Sequence, residues 1–70
     1  MKKIHIDKLI QAKMKAEGRS VTWLAKQLNC DRSNIYKIYR KTTIDTALLS
    51  HICELLNFDF FQYYSSSFRP

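Results

Sequence analysis

The chain has 70 residues, enough for one small domain, and at 46% hydrophobic and 26% charged its composition excludes a disordered polypeptide. Its net charge of +6 is unevenly placed: residues 1–41 hold 11 of the 12 Lys and Arg against three acids (Asp7, Glu17, Asp31), a sum of +8, whereas residues 42–70 hold one base against three acids (Asp45, Glu54, Asp59), a sum of −2. No uncharged apolar run approaches the length of a membrane span, and Asp7 and Lys8 interrupt the start MKKIHIDKLI where a secretion signal would need an apolar stretch.

In IDKLIQAKMKAEG, residues Ile6, Leu9, Ile10, Lys13 and Met14 follow the spacing of a helix with one apolar face, and Gly18 stands where a left-handed cap would end it. Ser20 is the expected N-cap of a second helix, VTWLAKQL, with Leu24, Ala25 and Leu28 facing inward. Asn29 tolerates positive φ, and Asp31 then caps a third helix, DRSNIYKIYR, running to about Arg40. After the connection KTTI, Ile44 and Asp45 read as staple and N-cap of a fourth helix, TALLSHICELL. Its stripe is Leu48, Leu49, Ile52, Leu55 and Leu56. Asn57 suits another left-handed cap, Asp59 caps a short turn in FFQYY, and the tail from residue 65 to 70 is expected to fray. One glycine and one proline leave few breakers, so the expected domain, residues 1–64, is all-α with four to five short helices.

The third helix has only Ile35 and Ile38 to bury, among Arg32, Lys37, Arg40, two tyrosines, a serine and an asparagine. Asn29 and Cys30 alone separate it from the second helix, so the pair must cross steeply over a small residue, and Ala25 supplies one. Counted from Val21, alanine at position five and apolar residues at four, eight, ten, fifteen and eighteen give the helix-turn-helix frame.

LAKQLNCDRSNIYKIYR followed by IDTALLSHICELLNFD resembles the Cro and phage-repressor type of helix-turn-helix domain, the XRE family of regulators. The resemblance covers roughly residues 6 to 60 and includes the fourth helix, where Thr46, Leu48, Ile52 and Leu56 keep the family's spacing. Two departures stand out: Asn29 where glycine is commonest, and Trp23 where the family usually has a polar residue. The resemblance implies a compact lambda-repressor-like fold and a small bacterial or phage transcriptional regulator that binds double-stranded DNA sequence-specifically. Its recognition helix would be residues 31–40, in the major groove.

With Ile35 and Ile38 inward, a step of roughly 100° per residue puts Ser33, Lys37 and Arg40 on the opposite side, flanked by Arg32 and Tyr36. The resemblance implies base contacts by Arg32, Ser33 and Lys37, with Arg32 and Lys37 favouring guanine through O6 and N7. Tyr36 has three readings: a thymine methyl, a phosphate or plain packing. For the sugar-phosphate backbone the helix start at Ser20 and Val21 offers free N–H groups, the resemblance implies contacts by Lys26, Arg40, Lys41, Thr42 and Thr43, and Arg19 is a further candidate. Lys2, Lys3, Lys8, Lys13 and Lys15 are assigned only long-range attraction.

Trp23 is expected to pack against the core, with a backbone or partner contact as the alternative. His5, His51, Cys30 and Cys53 lack the short paired spacing of zinc sites, and the two cysteines fall on positions expected to be buried; no metal or other cofactor is expected. Neither histidine comes with a nucleophile and an acid, so no enzyme and no small-molecule substrate are expected. With cysteines too few to staple a secreted fold, a cytoplasmic chain with reduced thiols is expected. Residues 58–68 hold six of the nine aromatics, and Phe60, Tyr64 and Phe68 are the candidates for a homodimer surface, with Phe58 and Phe61 turned to the core. The alternative reading is a protein-interaction module of the same fold, antitoxin-like or accessory. A membrane-binding role is disfavoured, because the first helix has too few large apolar residues to cover both a core and a bilayer.

Overall fold

Five helices follow one another in a computed structural model that describes residues 4–68, with side chains described from 4 to 66. They are α1 (Ile6–Ala16), α2 (Val21–Gln27), α3 (Arg32–Ile38), α4 (Thr46–Leu56) and α5 (Phe61–Phe68). Among the described residues there is no strand, and no helix is long and apolar enough to cross a membrane.

Local chemistry sets the boundaries. Three helices end in the same way, on a left-handed residue: Gly18 after α1, Asn29 after α2 and Asn57 after α4, with φ of 66°, 54° and 50°. At each, the next amide turns back to the helix, from Arg19 to Met14 O (2.9 Å), Cys30 to Ala25 O (2.9 Å) and Phe58 to Cys53 O (3.0 Å). This is the Schellman arrangement, which satisfies carbonyls that a helix end leaves open. The starts are capped by Ser20, whose Oγ accepts from the Trp23 amide at 3.0 Å, and Asp45, which accepts from the Leu48 amide at 3.2 Å. Asp59 accepts from the Phe61 amide at 2.9 Å, opening α5. Asp31 holds the N-cap position of α3 in extended conformation, but its carboxylate makes no capping bond.

Helices α1 to α4 each add buried apolar residues to one core. Ile6, Ile10 and Met14 come from α1, Leu24 and Ala25 from α2, Ile35 from α3, Leu49, Ile52 and Leu56 from α4, and Phe60 closes the set. Burying each large member fully contributes about 1.5–3 kcal/mol. Leu9, Leu28, Ile38, Leu48 and Leu55, expected on the inward stripes, are half-buried around this centre, as are Cys30 and Cys53.

The C-terminal end corrects the sequence reading. Phe60, expected on an exposed dimer surface, is 0% accessible, while Phe58 and Phe61, expected in the core, are half-buried. The left-handed turn at Asn57 accounts for this. Residues 58–60 are not helical, and on this stretch it is Phe60 that enters the core, with Phe58 and Phe61 packed against it. The Phe60 amide instead reaches Cys53 Sγ at 3.4 Å, and its ring meets Phe58 edge-on with centroids 4.9 Å apart. Helix α5 also continues through Ser65 to Phe68, beyond the short turn expected from FFQYY. The Phe68 side chain lies outside the described residues, as do Lys2 and Lys3.

Candidate nucleic-acid interface

Helix α3 is anchored by one residue. Ile35 is wholly buried and Ile38 half-buried, which fixes the rotation of a seven-residue helix and turns Arg32, Ser33, Tyr36 and Lys37 to solvent. Tyr36 is 46% accessible, the largest exposed apolar side chain among the described residues. The helix stops at Ile38, earlier than the expected Arg40. Tyr39 follows as its C-cap, and the amides of Arg40 and Lys41 bond to Lys37 O and Ile38 O at 3.2 and 3.3 Å. Arg40 therefore stands on a tightened final turn, exposed like Lys41.

The joint to α2 is closed by backbone hydrogen bonds. Leu28 and Asn29 bond back to Leu24 O and Lys26 O at 2.9 and 3.2 Å, and Cys30 to Ala25 O, so three consecutive amides tie the turn to the helix before it. Ala25, 4% accessible, is the small residue that lets the helices approach. Exposed Lys26 lines a shallow recess over this joint with Asn29, Cys30 and Asp31.

Beyond α3, the chain brings three of the expected residues together. Lys37, Lys41 and Thr43 line one open groove of about 290 Å³ between the end of α3 and the start of α4, with Ile38, Ile44 and Leu48 also on its wall. Asp45 stands there too, but its carboxylate is engaged by the Leu48 amide. Thr42 is half-buried beside exposed Thr43.

At the other end of the pair, Ser20 takes the Trp23 amide, and the amides of Val21 and Thr22 are left without intrahelical acceptors, as at the start of any helix. Arg19 is exposed, and its guanidinium carbon lies 4.5 Å from the centroid of the half-buried Trp23 ring.

Three features here have no sequence signal. Gln11, on the exposed face of α1, donates to the Tyr39 carbonyl at 3.3 Å. Lys13 stands 4.7 Å over the Phe58 ring as well as 4.0 Å from Glu17. Asp7, in the first turn of α1, is 6% accessible with its Oδ1 unpartnered, which no periodicity foretells. Burial, and secondarily the neighbouring Tyr36, raises the Tyr39 hydroxyl above its ordinary value. Among the described residues, no three His, Cys, Asp or Glu side chains group as a metal site would require.

The family model of the Cro/C1-type HTH DNA-binding domain matches residues 5–61, most of the chain. Searches of curated proteins and of solved structures gave no significant match.

Proposed function

The chain belongs to the Cro/C1-type helix-turn-helix DNA-binding family, and on that premise we propose that it reads specific sequences in double-stranded DNA as a small non-enzymatic transcriptional regulator of the cytoplasm. One observation carries the reading: α3 buries Ile35 and turns Arg32, Ser33, Tyr36 and Lys37 outward together. In the major groove, Arg32 and Lys37 donate to guanine O6 and N7, Ser33 accepts several bases, and Tyr36 covers a thymine methyl. Arg19, Ser20, Val21, Lys26, Arg40, Lys41, Thr42 and Thr43 hold the phosphates and set the register.

Selection of bound sequences from random duplex DNA, followed by a salt titration on the winner, tests this. With about four to six phosphates neutralised, log affinity falls against log salt with a slope of roughly −4 to −5. No enrichment together with no binding at low salt removes the reading. The protein-interaction alternative is the weaker one, because a domain that had left DNA would be free to carry acid on α3.

We also propose that two copies pair through their C-terminal regions, putting two α3 helices about 34 Å apart on a near-palindromic site. Phe60 has no part in that surface, since it is buried. Tyr64, half-buried, remains its candidate. Sedimentation of the free protein and its stoichiometry on the selected duplex decide it; a monomer that binds a single half-site ends the dimer proposal and leaves DNA binding intact.

A further inference from the structure

Trp23 departs from the family's usual polar residue, and its ring has two different neighbourhoods. The half-buried ring packs against the core, and the Arg19 guanidinium carbon stands over it, 4.5 Å from its centroid. Both partners are held by their main chains: the Arg19 amide bonds to Met14 O at 2.9 Å in the cap of α1, and the Trp23 amide to Ser20 Oγ at 3.0 Å. Among the described residues no carboxylate pairs with Arg19; the nearby Glu17 is engaged with Lys13. A guanidinium stacked on a ring face keeps its N–H donors in its own plane, along its edge and free to bond outward.

We propose that Trp23 is a positioning residue: its indole face holds Arg19 in one rotamer, so that the guanidinium edge meets a DNA phosphate without first having to be ordered. The inference rests on the DNA-binding reading above. A free arginine loses rotamer freedom when it grips a phosphate, and a preformed stack has already met that cost. The indole gives the strongest cation–π platform of the aromatic side chains. The same charge on lysine would still attract DNA but would not lie flat on the ring.

The test is a double-mutant cycle on the selected duplex, with affinity and salt slope read for each variant. Trp23→Leu is expected to weaken binding about three- to ten-fold when Arg19 is present and less than two-fold in an Arg19→Ala background. Trp23→Phe should restore most of the affinity. Arg19→Lys should lose about as much as Trp23→Leu while keeping the wild-type slope, whereas Arg19→Ala should flatten the slope by about 0.9. Arg19→Lys changes only an exposed side chain, so wild-type binding by this variant overturns the positioning role even if Trp23→Leu does not fold. Trp23 is the only tryptophan, so its emission should shift on DNA binding in the wild type and shift less in Arg19→Ala. Equal losses from Trp23→Leu in both backgrounds, or Arg19→Lys binding as wild type, overturns the positioning role alone. A wild-type chain that binds no duplex overturns it together with the DNA reading.

Discussion

The Gln11 side chain donates to the main-chain carbonyl of Tyr39 across 28 positions of sequence, at 3.3 Å. It ties the solvent face of α1 to the end of α3, where a helix leaves its last carbonyls open. The bond is exposed, so Gln11→Ala should cost about 0.5–1 kcal/mol, read as a fall in Tm of roughly 2–8 °C. A Tm equal to that of the wild type means that the bond adds nothing to the folded state.

Asn29 occupies φ 54° at the α2–α3 joint. An alanine there meets the left-handed penalty of about 1–2 kcal/mol, while glycine does not. Urea unfolding should therefore rank Asn29→Gly at or above wild type and Asn29→Ala clearly below both. The reverse order would mean that the Asn side chain, not its backbone tolerance, matters at this joint.

Lys37 and Lys41 share a groove, yet different roles are expected of them. Lys37→Ala and Arg32→Ala should relax base preference at a cost on the order of 1–3 kcal/mol on the preferred site. Lys41→Ala should weaken all duplexes about equally and flatten the salt slope. Binding of a duplex panel by the three variants checks the division, which is lost if Lys41→Ala alone alters the preferred bases.

Phe60, wholly buried, should behave as a core residue. Phe60→Ala is expected to remove about 3–5 kcal/mol, much of what a domain of this size has. Chemical denaturation measures it, and a variant that stays as stable but sediments as a lighter species would return Phe60 to the surface.

Tyr39 and Tyr64 are both raised from the ordinary tyrosine value of 10.0, each chiefly by burial, with Tyr36 adding to the effect at Tyr39. The folded state thus holds these protons more tightly than the unfolded chain. Their contribution is complete below pH 10.0 and is lost as pH rises through the raised values. Unfolding free energy followed above that pH should fall, and fall less in Tyr39→Phe. An unchanged alkaline limb in that variant removes Tyr39 from the account.

Helices, caps and the outward face of α3 were legible because each is written locally. Ser20 and Asp45 stand directly before apolar stripes, Gly18, Asn29 and Asn57 directly after them, and Ile35 alone sets the rotation of α3. What escaped depends on where segments meet. Periodicity is silent on a non-helical stretch, so it could not show that Phe60 is buried while Phe58 and Phe61 pack half-exposed beside it. The Gln11–Tyr39 bond joins residues with no pattern in common, and Asp7 is buried although it is a charged residue in the first turn of α1. Asp31 has the right residue type and backbone for a cap without making the bond, so sequence located the helix start but not its chemistry.

The three amides that bind the turn between α2 and α3 back to α2 have a calorimetric consequence. They fix the turn that leads into α3, and with Ile35 seated in the core α3 is already formed in the free protein. Heat capacity should then drop on association only by what the contact area of one small module accounts for, on the order of 600–1,000 Å². The larger drop that accompanies a segment folding as it binds, which reflects about 1,000–3,000 Å² of newly buried surface, should be missing.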